Sequence, residues 1–202
     1  MSDQDGTVYL VDDDSGVRDS LGLLLSLKGI RTLVFASAES FIGAYRPEWH
    51  GCVVTDLRMP GMSGLELQAA LRQRQIDLPV VVLTAHGDVA TVRTALKNGA
   101  LDFLEKPVED DILLEVVQNA LRVDREQRVS TTERAAVSER LARLTARERE
   151  ILTPLAAGQQ NLDIAAQLGI SPRTVEVHKA RIMEKLGCRS LADLIRISRA
   201  ED

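Results

Sequence analysis

The sequence predicts a doubly wound α/β domain with a five-stranded parallel sheet, followed by a helical linker and an all-α domain of four helices. In the first half of the chain, five short apolar runs alternate with amphipathic segments, which is typical of βαβ units. No glycine or proline lies between Pro107 and Pro154, and four short amphipathic segments separated by glycines form the end of the chain. We therefore predict domains over residues 1–121 and 141–202, joined by a linker over 122–140.

The predicted strands are near-continuous apolar runs, as expected for a sheet that is covered by helices on both faces. They cover residues 8–11, 31–35, 52–55, 80–83 and 101–104. The segments between them predict helices over residues 15–28, 37–45, 65–73 and 88–98, and a further helix from 108 onward. Ser37 is a predicted helix N-cap, and Gly29 and Gly99 are predicted helix ends.

The charged segment that follows is compatible with a helical linker. We expect it to be in one piece or two, because Ser130 to Glu133 offers a new helix cap. A coiled coil is disfavoured, since polar residues such as Gln127 and Arg134 interrupt the apolar seam. The four helices of the last domain are predicted over residues 146–157, 162–168, 172–186 and 190–198.

Cysteine spacing and the lack of long apolar runs argue against a disulfide-linked, cysteine-ligated metal-binding or membrane-spanning protein, and the charge is unevenly distributed. The net charge of −5 is unevenly distributed: residues 1–122 carry −7 and residues 141–199 carry +4, which indicates different partners for the two parts. Cys52 and Cys188 fit no metal-binding spacing, so we expect two reduced thiols. Neither a signal peptide nor an apolar run of membrane-spanning length is recognisable, and we expect a cytoplasmic protein without a membrane partner.

Charged and polar side chains stand at the predicted carboxyl ends of four strands. Asp12 and Asp13 follow the first strand, Asp56 ends the third, and Thr84 and Lys106 follow the fourth and fifth. In a doubly wound sheet these ends meet in one crevice, where ligands bind. Crowded carboxylates favour a bound cation and suit Mg²⁺, while a lysine and a hydroxyl suit the oxygens of a phosphoryl group. The constellation predicts a site at which Asp56 accepts a phosphoryl group with the help of Mg²⁺.

Four sequence blocks resemble those of response-regulator receiver domains. They are VDDD (11–14), VTDLRMPGMSG (54–64), LTA (83–85) and DFLEKP (102–107), and the resemblance covers about residues 7–121. It implies a flavodoxin-like receiver in which Asp56 is the phosphoacceptor. By the same resemblance, Asp13, Asp56 and the Arg58 carbonyl would hold Mg²⁺, and Asp12 would help through water.

The resemblance also implies a switch and a backbone feature. Thr84 and Phe103 would be the pair that rearranges after phosphorylation. Lys106 and Pro107 would be joined by the cis peptide bond typical of the family.

Three residues beside this site carry separate predictions. Asp14 matches no required family position, and we expect it to cap the following helix. Arg58 and His86 lie two residues after Asp56 and Thr84, and we hypothesise that they modulate hydrolysis of the phosphoryl-aspartate. For His86, an ordinary loop position is an equal alternative.

The last domain shows a helix-turn-helix pattern. Thr145 and Glu148 predict a capping box, Gly169 marks the turn, and Pro172 begins the next helix. Residues 144–194 resemble the LuxR/FixJ-type DNA-binding domain, including the blocks TVEVH (174–178) and IMEKLG (182–187). Residues 172–186 would then form the recognition helix.

This helix has an inward and an outward side. Val175, Ile182 and Leu186 share the inward side, and His178 at its border is predicted to be structural rather than a reader of bases. The candidate DNA-binding residues are Arg173, Thr174, Glu176, Val177, Lys179, Ala180 and Arg181.

The chemistry of the outward side suits DNA. Glu176 can accept a hydrogen bond from cytosine N4, and Val177 and Ala180 can contact a thymine methyl group. Thr174, Lys179 and Arg181 are candidates for phosphate contacts. Many family members carry lysine where this chain has Glu176 and Leu162, so part of the electrostatic affinity is missing or lies elsewhere.

These features indicate a phosphorylation-gated transcription factor rather than an enzyme. A sensor histidine kinase would phosphorylate Asp56, the surface from Asp88 to Leu104 would form a homodimer, and the paired domains would bind duplex DNA. RNA polymerase is a further candidate partner.

Two alternatives stay open. One is a phosphatase with Asp56 as nucleophile, which is disfavoured because Arg58 stands where such enzymes commonly carry a second acid. The other is a protein-binding adaptor, from which salt-sensitive binding to DNA would distinguish a transcription factor.

Overall fold

The computed structural model describes residues 6–85, 93 and 95–199. The chain forms two compact units, Met1–Arg128 and Val129–Asp202. The first unit extends beyond residue 121, the predicted end of the first domain. Asp124, which falls within the predicted linker, is buried.

The first unit contains a five-stranded parallel sheet. Its elements are β1 (Thr7–Val11), α1 (Ser15–Leu27), β2 (Thr32–Phe35), α2 (Ala38–Ala44), β3 (Gly51–Asp56), α3 (Gly64–Gln73), β4 (Val80–Thr84) and β5 (Asp102–Glu105). The strand order is β2-β1-β3-β4-β5, and all neighbours are parallel, which confirms the predicted fold class. The predicted helix over 88–98 lies mostly outside the described residues; residues 95–97 are helical.

Side chains of the central strands enter two hydrophobic layers, one on each face of the sheet. One layer includes Tyr9, Val53 and Val82, and the other includes Leu10, Val54 and Leu83. The edge strand β2 departs from the expected pattern, since Leu33 and Val34 are exposed. The core is therefore centred on β1, β3 and β4.

Helix α4 (Asp110–Ala142) runs without interruption through the predicted linker (122–140). The alternative of two pieces, with a new cap at Ser130 to Glu133, is wrong. Capping side chains end a helix only where the backbone hydrogen bonds are lost, and no glycine or proline breaks them here. Despite the length of α4, no helix within the described ranges is long and apolar enough to cross a membrane.

The second unit contains four short helices after α4. They are α5 (Ala146–Ala156), α6 (Asn161–Leu168), α7 (Pro172–Leu186) and α8 (Leu191–Arg199). Their core includes Ile151, Leu155, Ile164, Val175 and Ile182. The predicted four-helix architecture is thus confirmed.

A buried carboxylate connects two of these helices. Glu148 forms the predicted capping box: its backbone N–H donates to the Thr145 hydroxyl at 3.2 Å, and its carboxylate accepts from the Thr145 N–H at 2.8 Å. The same carboxylate accepts from the Lys185 ammonium of α7 at 2.7 Å. The Lys185 hydrogen bond, together with the Thr145 N–H, lowers the pKa of Glu148 to about 2.

The close approach of β1 and β3 should make Gly51→Ala strongly destabilising. Gly51 has a φ of +127°, and a Cβ atom there would lie 1.9 Å from the Thr7 carbonyl oxygen. We expect a loss of about 3 kcal/mol or more in the free energy of unfolding. Urea denaturation followed by the fluorescence of Trp49, which stacks on Tyr9, measures it. As a control, Gly43→Ala places a Cβ atom in open space in α2 and should be neutral or slightly stabilising. Equal stabilities of the two variants would contradict the steric explanation.

The ion pair of Glu148 should make the second unit sensitive to acid. Because the folded-state pKa of Glu148 is depressed, its stabilisation is complete above the ordinary value of 4.5 and is lost as the pH falls towards about 2. Glu148→Gln should lower the free energy of unfolding by about 2 kcal/mol at neutral pH, and this difference should vanish near pH 2. Denaturation followed by helical circular dichroism measures both effects.

Glu150→Gln is the matched control for this experiment. Glu150 lies in the same helix and pairs with Arg147, but its own side chain is 53% exposed to solvent. Its replacement should cost less than about 0.5 kcal/mol. A difference between wild type and Glu148→Gln that stays constant with pH would refute the assignment.

Candidate functional site

Two carboxylates from neighbouring strands meet at the carboxyl edge of the sheet. Asp12 follows β1 and is 1% exposed, and Asp56 ends β3 and is 8% exposed. The Lys106 ammonium, which follows β5, lies 2.6 Å from Asp12 Oδ2 and 3.0 Å from Asp56 Oδ1. The structure therefore brings together three of the residues that the sequence placed at strand ends.

Backbone contacts fix the position of Lys106, and the neighbouring carboxylates keep its side chain charged. Its N–H donates to the Thr84 carbonyl at 2.6 Å, and its peptide bond to Pro107 is cis, as the resemblance implied. Burial by itself would lower the pKa of the Lys106 ammonium. The hydrogen bonds and charges of Asp12 and Asp56 outweigh burial and raise that pKa above its ordinary value. Lys106 is thus a permanent cation in the site.

The backbone around Asp56 orients its carboxylate. Oδ2 accepts from the Arg58 N–H at 3.1 Å, while Oδ1 faces Lys106. A Cβ atom at residue 64 would lie 2.3 Å from the Asp56 carbonyl oxygen, so only glycine allows α3 to begin this close. Both carboxylate oxygens of Asp56 are held by partners from the chain.

Hydrogen bonds also fix the loop after β1. Asp12 Oδ1 accepts from the Asp14 N–H at 2.9 Å, and the Asp14 carboxylate accepts from the Gly16 N–H at 2.7 Å and caps α1, as predicted. Arg18 of α1 donates to the Asp12 carbonyl at 2.6 Å. The sequence analysis did not single out Arg18. The feature that could have indicated it is a lone arginine in the first turns of the helix that follows the aspartates.

The remaining predicted site residues differ in their exposure. Thr84 is buried, and Phe103 is half-buried on the neighbouring strand β5, opposite Val82 in the register. Asp13 is exposed. His86 lies outside the described residues.

The donor atoms fit Mg²⁺. Carboxylate oxygens of Asp12 and Asp56 already converge on one cation, the Lys106 ammonium. Among the described residues, no group of three or more His, Cys, Asp or Glu side chains is arranged to hold a metal ion. Mg²⁺ takes one or two carboxylates and keeps several waters, so such a group is not required.

Helix α7 of the second unit presents the predicted faces. Its inward residues Val175, Ile182 and Leu186 are fully buried. Five of the seven candidate DNA-binding residues are exposed, and Thr174 and Lys179 are half-buried. Arg173 and Glu176 form an exposed ion pair at 3.3 Å, so each is already partly neutralised by the other.

Two further positions bear on DNA binding. His178 is half-buried, and its Nδ1 atom is buried without a hydrogen-bond partner in the described part of the chain, which fits the predicted structural position. Leu162 is 68% exposed at the beginning of α6, where a lysine was expected from the family pattern. This end of α6 therefore presents an apolar side chain.

Comparisons with known protein families agree with this architecture. The family model described as response regulator receiver domain matches residues 8–118, and the one described as bacterial regulatory proteins, luxR family, matches residues 142–198. The matches cover both sites described above.

Individual relatives match almost the whole chain. The transcriptional regulatory protein FixJ of Bradyrhizobium diazoefficiens is 40% identical over 193 residues, which are 96% of this chain and 94% of that protein. FixJ of Azorhizobium caulinodans is 44% identical over 191 residues, or 95% and 90% of the two chains. These relatives are transcriptional regulators rather than enzymes.

Solved structures resemble the chain over a similar extent. A low-resolution structure of the response regulator StyR has a TM-score of 0.86 at 41% identity and covers 96% of this chain and 98% of its own. Full-length FixJ from B. japonicum has a TM-score of 0.61 at 40% identity, with 97% of both chains covered. The two domains together indicate a histidine kinase and duplex DNA as partners. The chain therefore belongs to the response-regulator family, as a two-component transcription regulator with a receiver domain and a LuxR-type DNA-binding domain.

Proposed function

We propose that Asp56 is the phosphoacceptor and that its phosphorylation controls DNA binding by the second unit. The observation that carries this proposal is the contact of Asp56 and Asp12 with a single cation, Lys106, at the carboxyl edge of the sheet. The Asp56 carboxylate lies next to the positively charged Lys106. Phosphoryl transfer depends mainly on such positioning and charge neutralisation.

The transfer uses a phosphohistidine of the sensor kinase as donor. An Asp56 carboxylate oxygen forms a bond to phosphorus, the bond from phosphorus to the imidazole nitrogen breaks, and the imidazole regains a proton from solvent. Lys106 pairs with the negative oxygens of the phosphoryl group, and the Thr84 hydroxyl donates to one of them. No further base is needed, because a carboxylate is already deprotonated.

Receiver domains generally bind Mg²⁺ at their acidic pocket. In this chain Asp13, Asp56 and the Arg58 carbonyl would hold the ion, with Asp12 acting through water. Bound Mg²⁺ neutralises charge on the transferring phosphoryl group. Asp13 is exposed, so it can turn towards the site without losing a buried contact.

The response is a population shift between two receiver states. Thr84 moves towards the phosphoryl group, Phe103 follows on the neighbouring strand, and the surface from Asp88 to Leu104 forms a homodimer. Helix α4 transmits the effect of dimerisation to the second unit. Hydrolysis of the phosphoryl-aspartate by the receiver itself ends the signal, and Arg58 and His86 modulate its rate.

DNA recognition is assigned to the exposed side of α7. Glu176, Val177 and Ala180 contact bases, while Arg173, Thr174, Lys179 and Arg181 contact phosphates or position the helix. Paired half-sites on duplex DNA match a homodimer, and RNA polymerase is a further partner of the bound protein. A cytoplasmic location belongs to the same proposal, because the DNA partner is found there.

Replacement of the phosphoacceptor should remove the switch. With acetyl phosphate and Mg²⁺, Asp56→Asn should form no phosphoryl adduct in intact mass spectrometry and no additional dimer in analytical ultracentrifugation, because the amide is not a nucleophile. Asp19→Asn, which changes an exposed carboxylate of α1, should behave as wild type in both measurements. Dimerisation of Asp56→Asn at the wild-type level would contradict phosphorylation gating.

Removal of a phosphate contact should weaken DNA binding without regard to sequence. Arg181 is exposed on α7, and Arg181→Ala should reduce affinity for operator and non-operator duplexes alike and lower the salt dependence by about one released counterion. Fluorescence anisotropy across a salt series measures both quantities. Arg196→Ala, an exposed arginine on α8, is the control with an unchanged slope. A lack of salt-sensitive binding to duplex DNA would instead favour the adaptor alternative.

A further inference from the structure

The loop between β3 and α3 (residues 57–63) is attached to helix α2 by one carboxylate. Glu39 Oε1 accepts from the Met62 N–H at 2.8 Å. The two residues are far apart in the sequence, so only the tertiary fold brings them together. The loop follows Asp56 directly and contains Arg58, whose carbonyl we assign to Mg²⁺.

The ends of this loop are held by the sheet and by the first turn of α3. The Leu57 N–H donates to the Leu83 carbonyl at 2.7 Å, and the Gly64 N–H donates to the Leu57 carbonyl at 3.1 Å. Ser63 and Glu66 form a capping box at the beginning of α3. The span between these points, residues 58–62, is held by the buried side chain of Met59 and by hydrogen bonds from the Arg58 and Met62 N–H groups to side chains.

Within that span, Arg58 and Pro60 are exposed, and Met59 is buried. The Arg58 N–H donates to Asp56 itself. Among the described residues, Glu39 is, besides Asp56, the side chain outside the loop that accepts a hydrogen bond from this span. It therefore limits the conformations of the segment that carries the Arg58 carbonyl.

Helix α2 and the loop fit each other closely at this contact. Gly61 has a φ of +77°, and a Cβ atom there would lie 2.6 Å from Glu39 Oε1. The absence of a side chain at residue 61 is what lets the carboxylate approach the loop backbone. Hydrogen bonds from its own backbone N–H, from Met62 and from Ser37 lower the pKa of Glu39, so it is a charged acceptor at neutral pH.

We infer that Glu39 is a positioning residue for the phosphorylation site, acting through the Met62 N–H to hold the β3–α3 loop in the conformation that binds Mg²⁺. This inference rests on the proposed function of Asp56. Glu39 touches neither the phosphoryl group nor the ion. By holding the loop in place beforehand, it reduces the conformational entropy that the loop loses when the cation binds.

Calorimetric titration of the full-length protein with Mg²⁺ alone tests the inference. Glu39→Ala should weaken Mg²⁺ binding about tenfold, at the lower end of the effects seen for residues that support metal ligands. Glu39→Gln should restore most of the affinity, because the amide oxygen can still accept from the Met62 N–H. At saturating Mg²⁺ the rate of phosphorylation by acetyl phosphate should return to the wild-type value in Glu39→Ala.

Hydrogen exchange provides a readout that does not depend on the ion. In the metal-free protein, exchange of the Met62 amide should be faster in Glu39→Ala than in wild type and in Glu39→Gln. Glu66→Ala is the matched control, since Glu66 is also exposed and also accepts a backbone N–H, from Ser63 at the end of the loop, at 2.9 Å, but accepts no hydrogen bond from the described residues 58–62. It should lower the stability of α3 and leave the Mg²⁺ affinity unchanged.

The outcomes separate this inference from the proposed function. Wild-type Mg²⁺ affinity in Glu39→Ala would overturn the positioning role and leave Asp56 as phosphoacceptor. Equal loss in Glu39→Ala and Glu39→Gln would also overturn it, because the effect would then be one of charge. If wild type itself bound no Mg²⁺ and accepted no phosphoryl group, both proposals would fall.

Discussion

The ammonium of Lys106 between the carboxylates of Asp12 and Asp56 is the contact on which the first unit is organised. Two buried carboxylates at one edge of a sheet repel each other, and desolvation adds to the cost. A cation from a third strand end offsets both effects. This arrangement requires β1 and β3 to be neighbours and β5 to end at the same edge, which the observed parallel order provides. The fold and the site therefore depend on each other.

The second unit also contains a buried carboxylate that is paired with a lysine. Glu148 is buried at the beginning of α5, and Lys185 reaches it from the last turn of α7. Here the carboxylate also caps a helix, so it joins local and tertiary structure in one group. Loss of either partner of such a pair costs more than the pair contributes, because the other charge is left buried. The contact joins the last turn of α7 to the beginning of α5.

Most of the secondary structure could be predicted from the sequence, because short-range patterns determine it. Apolar runs gave strands within a residue or two, and Ser37, Thr145 and Gly169 act as caps and ends where the pattern placed them. For the linker, the pattern left a helix in one piece or in two open. The polar residues around Ser130 suggested a break, but the flanking segments are favourable for a helix and α4 continues through them. The buried position of Asp124 was also invisible, since an acidic residue in a charged helix looks solvated.

The sequence by itself determined which chemical groups this protein has at its strand ends and on the exposed side of α7. Alternation of strands and helices places Asp12, Asp56 and Lys106 at one edge of any doubly wound sheet, and family resemblance names their roles. Only the tertiary structure decided how these groups are held. The bridging position of Lys106, the Arg18 contact with the Asp12 carbonyl and the Glu39 contact with Met62 join residues from different elements. Such contacts depend on distances between packed elements, and a one-dimensional pattern carries no information about those distances.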